Sequence, residues 1–411
     1  MEYGVIGEHL KHSFSREIHR ELASYEYIVR EVEPSALADF IRSRDYKGLN
    51  VTIPYKKDVM PHLDHIDPIA REIGAVNTIV NRDGILYGYN TDFFGLSSLI
   101  RRADITIEGG KVLILGTGGT SVTARAVAYS MGAACVYRVS RHPSDDDISY
   151  DSAYQRHADA DVIINTTPVG MFPNIGDCPI ELERFPQCRG VVDAIYNPLR
   201  SELVLQARER GIKATGGLYM LVAQAAKACA LFLDDDRVLE DVERVYNSIR
   251  LQKENIVLIG MPGSGKSTVG KTLSELMGRP FVDSDQVIIS RAGKTISEIF
   301  VQDGEAAFRL IERQVIAELA EKTGYIIATG GGVILNSNNV FNLRKNGRLV
   351  FRDRPLDELI PTGDRPLSSN REALERRYYE RMPLYRAAAD ETVVGDTQLE
   401  AAQIIKRMWQ V

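Results

Sequence analysis

Residues 255–268 read NIVLIGMPGSGKST, and this stretch decides the fold of the C-terminal part of the chain. An apolar run passes directly into Gly260, Met261, Pro262, Gly263, Ser264, Gly265, Lys266 and Ser267, and a helical pattern follows. Every fixed position of G-x-x-x-x-G-K-[ST] is filled, in the strand-loop-helix context the motif requires. Glycines let backbone N–H groups turn inward around a phosphate, a lysine reaches the β- and γ-phosphates, and the serine hydroxyl can hold Mg²⁺. Gly263, Gly265, Lys266, Ser267 and the adjoining Thr268 are therefore candidate nucleotide-binding residues, with Lys266 also placed in the chemistry and Ser267 at the metal.

Just downstream, FVDSDQVI (281–288) carries Asp283 and Asp285. Side chains alternate along a strand, so both carboxylates are expected on one side of a strand end. One suits the metal, and the other suits acceptance of a hydroxyl proton.

A second loop of the same general kind lies upstream. Residues 111–121 read KVLILGTGGTS, again an apolar run, then glycines, then a helical pattern. Gly116, Gly118 and Gly119, with Thr120 beside them, read as a dinucleotide loop whose third glycine position is taken by Ser121. The next apolar run ends in Arg138, Ser140 and Arg141. Basic and hydroxyl groups at that point favour the 2′-phosphate of NADP over the ribose hydroxyls of NAD.

Each loop is expected to open its own doubly wound α/β sheet. Apolar runs recur at 134–139, 162–165 and 190–194, as successive parallel strands buried on both faces would require. About 100 residues before the first loop alternate short apolar runs with helical ones, which suggests a smaller α/β subdomain. Residues 220–250 read as helix interrupted at Asp234, Asp235 and Asp236. The expected division is a first domain over 1–250, with a substrate subdomain near 1–102 and 220–250 and a Rossmann subdomain near 103–219. A short linker at 251–254 and a second domain over 255–411 follow.

Length and composition agree. The 411 residues predict two or three domains. Hydrophobic residues at 44% and charged residues at 26% are ordinary globular usage, which excludes disordered, collagen-like and coiled-coil classes. A net charge of −6 offers no domain-scale basic surface, so nucleic acid is not an expected partner. Four cysteines (Cys135, Cys178, Cys188 and Cys229) without a C-x-x-C pair fit neither a disulfide framework nor a zinc site. The amino-terminal residues lack the apolar core of a signal peptide, and 220–233 is too short and too polar to span a bilayer. A cytoplasmic protein without a membrane partner is expected; a homo-oligomer is compatible with the sequence. His9, His12, His62 and His65 have no acidic or cysteine companions that would complete a metal site, and Asp145, Asp146 and Asp147 read as a solvated loop.

The second domain resembles shikimate kinase. The phosphate loop, FVDSDQVI, FRLIE (308–312), TGGG (329–332), RPL (365–367) and ERMPLYR (380–386) occur in that family's order. The resemblance implies MgATP as phosphoryl donor and shikimate as acceptor. It implies that Asp283 assists Mg²⁺ through water, that Asp285 binds the ring hydroxyls and is the base, and that Arg309, Arg381 and the backbone of Gly330, Gly331 and Gly332 hold the carboxylate. Glu312 would orient Arg309 from the next helical turn. Arg365 would be the lid arginine that closes over the phosphates. Pro361 stands where the family commonly has an arginine that packs on adenine.

The first domain resembles shikimate dehydrogenase. HSFSREIH (12–19), GLNVTIPYKK (48–57), GAVNTI (74–79), GYNTDFFG (88–95), NTTPVGM (165–171), DAIYNP (193–198) and GGLYMLVAQAA (216–226) follow that family in order and spacing. This implies NADPH-dependent reduction of 3-dehydroshikimate to shikimate. By the resemblance Ser13 and Ser15 bind the carboxylate, Thr52, Asn77 and Gln224 bind ring substituents, and Lys56 with Asp92 form the catalytic pair. A lysine ammonium can polarise and protonate the oxygen of a ketone under reduction, which is the chemistry this site needs. Arg16 departs from the family's proline after the second serine, and Tyr196 and Met220 are candidate pocket walls. The rival readings are a ligand-sensing regulator that binds without turnover, and quinate oxidation in the first domain.

Overall fold

The computed structural model describes residues 2–10, 14–359 and 371–410. Two compact units make up the chain, Met1–Ile249 and Arg250–Val411. Residues 251–253, expected as linker, are the last turn of the helix Val242–Lys253. No described helix is long and apolar enough to cross a membrane.

The first unit contains two sheets. One runs in the order Tyr27–Glu31, Tyr3–Gly7, Gly48–Val51, Thr78–Arg82, Ile85–Tyr89, His65–Ile66. Thr78–Arg82 runs antiparallel to both its neighbours, and its hairpin with Ile85–Tyr89 is closed by Asp83 and Gly84, both at positive φ (51° and 87°). An Asp-Gly turn of that hand matches the twist of the strands it connects. The other sheet is parallel throughout, in the order Lys213–Thr215, Gly190–Asp193, Val162–Asn165, Lys111–Leu115, Cys135–Ser140, Asp147–Ser149. Strand order reverses between Lys111–Leu115 and Val162–Asn165, so the crevice at their carboxyl ends is the position for a ligand.

Gly190–Asp193 and Val162–Asn165 are buried at every residue, the pattern of strands covered on both faces. The helices Thr91–Arg102 and Leu218–Leu233 pack closely because Gly95 carries no side chain: a Cβ there would lie 2.6 Å from the Met220 carbonyl oxygen. Met220 is itself 5% exposed and packed in the core. The helix Leu218–Leu233 ends at Asp234 in the left-handed conformation, and a 3₁₀ turn at Asp236–Asp241 leads into the next helix.

The second unit is built on one parallel sheet in the order Phe281–Asp283, Ile326–Ala328, Asn255–Ile259, Gly347–Arg352, Glu391–Val393. The phosphate-loop strand is central and fully buried, and the helix Lys266–Met277 leaves its carboxyl end. Gly270 lets that helix approach the sheet, since a Cβ there would lie 2.4 Å from the Phe281 ring.

Candidate active sites

In the first unit, the strand ending at Val51 runs into a turn that brings Lys56 back toward the helix Thr91–Arg102. Lys56 Nζ donates to Asp92 Oδ2 at 2.5 Å, with the two side chains 18% and 7% exposed. Neighbouring Lys57 is exposed, so the doublet divides into one paired and one solvated lysine. Asp92 is free for this pairing because Asn90 caps the helix, accepting from Phe93 N at 3.2 Å.

Asn77 Oδ1 accepts from Thr91 N at 2.7 Å, and Asn77 Nδ2 donates to Gln224 Oε1 at 3.4 Å. Lys56 and Asp92 thus share a neighbourhood with Asn77 and Gln224, through Thr91 and along the helix Leu218–Leu233. Thr52 N donates to Ile6 O at 3.0 Å, which fixes Thr52 beside the innermost parallel strand. Ser15 opens the helix Ser15–Leu22, and the preceding Phe14 packs on Tyr196 at 5.2 Å between centroids. Ser13 lies outside the described residues.

A cavity of about 940 Å³ opens at the switch point, lined by Gly116, Gly118, Gly119, Thr120, Ser140 and Arg141. Gly116 needs its positive φ of 100°, and a Cβ there would crowd Thr167 at 3.0 Å. Cβ atoms at Gly118 and Gly119 would project into open space, which is the volume a bound pyrophosphate needs. Ser121 substitutes for the third glycine without cost to the loop: it is fully buried and its Oγ donates to Gly118 O at 2.6 Å. These features fit a dinucleotide.

Arg138 takes no part in the cavity, because it pairs with Asp147 at 2.7 Å. Of the solvated loop expected over Asp145, Asp146 and Asp147, the first two are exposed in a turn, while the Asp147 side chain is 4% exposed, accepts from Ser144 Oγ at 2.6 Å and opens a short strand, Asp147–Ser149, tied to its neighbour. Sequence reasoning also missed Ile53, 73% exposed on the cavity wall three residues before Lys56. A β-branched residue between two recognised binding positions was the available signal. Behind the cavity, Asp193 Oδ1 accepts from Asn165 Nδ2 and Ile195 N, both at 3.0 Å, and Oδ2 from Ser201 Oγ at 2.5 Å. Burial raises its carboxyl pKa to about 6 in spite of those donors.

In the second unit Gly260, Gly263 and Gly265 all have positive φ (150°, 83° and 85°), so the loop curls as only glycines allow. Lys266 Nζ donates to the carbonyls of Gly260 and Met261, each at 2.9 Å, and is 5% exposed. Thr268 lies exposed on the helix that follows. Ser267 Oγ donates to Asp283 Oδ2 at 2.5 Å. A hydroxyl and a carboxylate in contact beside a phosphate loop are the hard oxygen donors that suit Mg²⁺. Asp283 ends its strand and caps the helix Ser284–Ala292, accepting from Asp285 N at 2.9 Å. Asp285 therefore sits in the first turn of a helix, and helical geometry sets its direction in place of strand alternation.

Three bare glycines define the other side of this site. A Cβ at Gly330 would lie 2.5 Å from Asp285 Oδ1, one at Gly331 2.7 Å from the Pro262 ring, and one at Gly332 2.5 Å from Arg309 Nη1. Arg309 is held by Glu312 at 2.9 Å and by Glu305 at 3.1 Å. Burial raises the pKa of Glu312 and Arg309 opposes that rise. Arg381 Nη1 donates to Gly331 O at 3.1 Å, and Tyr385 OH donates to the same oxygen at 2.5 Å. Asp285, Arg309, Arg381 and Gly330 to Gly332 are thus one constellation. Glu305 was missed, because an acid four residues before an arginine is also an ordinary helical pair. Arg365 and Pro361 lie outside the described residues.

A family model for the shikimate dehydrogenase substrate binding domain matches residues 5–79, and one for shikimate kinase matches residues 262–411. A shikimate dehydrogenase (NADP(+)) of Clostridium beijerinckii is 37% identical over 241 residues, 55% of this chain and 89% of its own length. That of Geobacillus kaustophilus is 38% identical over 248 residues, 55% of this chain and 90% of its own. Among solved structures, shikimate dehydrogenase 1 from Peptoclostridium difficile superposes with a TM-score of 0.56 at 36% identity, covering 61% of this chain and 98% of its own. Shikimate 5-dehydrogenase from Thermus thermophilus, in complex with NADP(H) and shikimate, gives 0.53 at 28% identity, covering 60% and 99%. The chain belongs to the shikimate dehydrogenase family and carries a shikimate kinase domain in the same polypeptide.

Proposed function

We propose that this chain catalyses two consecutive reactions, reduction of 3-dehydroshikimate to shikimate in residues 1–250 and phosphorylation of the shikimate 3-hydroxyl in residues 255–411, in the cytoplasm. The observation that carries the reading is that each unit holds a glycine phosphate loop together with proton-transfer groups: in one, Ile53 on the wall of the glycine-loop cavity stands three residues before Lys56, which pairs with Asp92, and in the other Asp283 joins Ser267 of the phosphate loop to Asp285.

When bound, NADPH supplies a hydride and MgATP a phosphoryl group. In the first unit the Lys56 ammonium donates to the ketone oxygen, polarises the carbonyl and releases its proton to that oxygen as the carbon is reduced. Asp92, 2.5 Å away, aims the ammonium and stabilises its charge before transfer. Asn77 and Gln224 bind the ring hydroxyls, Thr52 adds a further contact, and Ser13 and Ser15 hold the carboxylate. Gly116, Gly118, Gly119 and Thr120 would cradle the pyrophosphate, and Ser140 with Arg141 would hold the 2′-phosphate.

In the second unit Gly263, Gly265, Lys266, Ser267 and Thr268 would hold the nucleotide phosphates, with Ser267 and Asp283 at Mg²⁺ and Arg365 over the phosphates. Arg309, Arg381 and the glycine backbone orient the acceptor by its carboxylate, and Asp285 takes the hydroxyl proton as the oxygen attacks. The test is one purified sample given 3-dehydroshikimate and NADPH, with and without MgATP, with products identified by mass. Shikimate without ATP and shikimate 3-phosphate with it are expected; binding of both ligands without turnover would overturn the reading.

A further inference from the structure

The acceptor side of the kinase unit holds a cation that no step above uses. Arg377 lies on the helix Arg371–Ala388, one turn before Arg381 and on the same face. Its Nη1 is buried and has no hydrogen-bond partner. Buried polar groups are nearly always partnered, so an orphaned guanidinium donor next to a binding site calls for a reason. Burial and the Arg381 charge hold its pKa below the usual guanidinium range, with Glu380 and Glu305 opposing them.

The charges around the site supply the reason. Arg309 gives its hydrogen bonds to Glu305 and Glu312, and Arg381 bonds to the Gly331 carbonyl. Arg309 and Arg381 therefore stand among the carboxylates of Asp285, Glu305 and Glu312. An acceptor bearing a carboxylate would add a further negative charge to a partly desolvated site, where like charges repel strongly. Arg377 brings a third cation to these carboxylates, and Glu305 acts electrostatically on it as well as bonding Arg309.

We propose that Arg377 is a third acceptor-binding arginine, whose unpartnered Nη1 meets the carboxylate of the phosphoryl acceptor together with Arg309 and Arg381. This rests on the kinase reading above. The test uses the full chain with Arg377→Met, which keeps the aliphatic stem, and Arg377→Lys, which restores the charge. Both are assayed with shikimate and MgATP and with an analogue whose carboxylate is replaced by hydroxymethyl, the latter as a competitive inhibitor.

For Arg377→Met the KM for shikimate is expected to rise about tenfold or more, the loss of one charge-assisted hydrogen bond. Its kcat and KM for ATP should stay within about twofold, Arg377→Lys should recover part of the loss, and the neutral analogue should bind wild type and variant alike. An unchanged KM for shikimate, an equal loss with the neutral analogue, or a rise in the KM for ATP instead would overturn the assignment. Wild-type chain that phosphorylates no shikimate would sink the kinase reading itself, a result distinct from any of these.

Discussion

Lys56 Nζ and Asp92 Oδ2 stand 2.5 Å apart, drawn together from a turn after one strand and from the first turn of a helix 36 residues later. Asp92 is 5% exposed, so its carboxylate has little water to turn to if the ammonium is removed. Lys56→Ala should lower the rate of ketone reduction by roughly 10²- to 10⁴-fold, the range of a lost proton donor. Phosphorylation of added shikimate should stay within about twofold of wild type. NADPH absorbance and a coupled ADP assay on one sample read both, and loss of both activities with an intact fold would refute separate active sites.

Asp193 gives the first unit a contribution to stability that runs against acid denaturation. Its folded pKa is raised from an ordinary 3.8 to about 6, chiefly by burial. The folded state binds the proton more tightly, so this group favours folding below about pH 4, and the contribution is lost as pH rises through about 6. A rise of that size is worth about 3 kcal/mol at most. Asp193→Asn keeps an oxygen for Asn165 and Ile195 and offers Ser201 a donor, so it removes mainly the titration. Denaturant unfolding from pH 4 to 7 should show the variant gaining on wild type as pH rises. A difference that stays flat across that interval would show that the carboxylate is already ionised at no cost.

Much of this was legible because the decisive signals are local. Gly260, Gly263 and Gly265 of the phosphate loop and Gly116 of the dinucleotide loop take backbone angles that few other residues adopt, so the sequence states those turns directly. Lys56, Asp92, Asn77 and Gln224 were legible through motif order, and the structure brings the paired groups within hydrogen-bonding range. What stayed hidden depends on residues distant in the chain. Asp147 looks like part of an exposed acidic run, and only pairing with Arg138 on a neighbouring strand buries it. The direction of Asp285 departs from strand alternation because the strand ends at Asp283, which has already started a helix.

Arg141 should set the preference for NADP. It lines the cavity with Ser140 at the end of the strand Cys135–Ser140, and Arg138 cannot substitute because Asp147 holds it. Arg141→Ala should weaken NADP by about 10- to 100-fold, the loss of a charge-assisted contact to phosphate, while NAD binding changes little. Ratios of kcat/KM for the two cofactors decide it. Equal losses for both would mean that Arg141 contacts the part the cofactors share.

Ser267 and Asp283 give the kinase unit its sharpest test. The Ser267 hydroxyl donates to Asp283 Oδ2 at 2.5 Å, and Asp283 Oδ1 meanwhile caps the following helix through Asp285 N at 2.9 Å. One carboxylate therefore joins the expected metal position to the residue proposed as base. Asp283→Asn can keep both hydrogen bonds through its amide oxygen and nitrogen, so the helix start should survive while the negative charge is lost. A group that orients the ligands of a metal typically accounts for about 10- to 100-fold in metal affinity. The Mg²⁺ concentration for half-maximal phosphorylation should rise by that factor, with the KM for shikimate nearly unchanged and ketone reduction untouched. If the Mg²⁺ dependence stays at the wild-type value while the KM for shikimate climbs, Asp283 acts through the position of Asp285 and not through the metal.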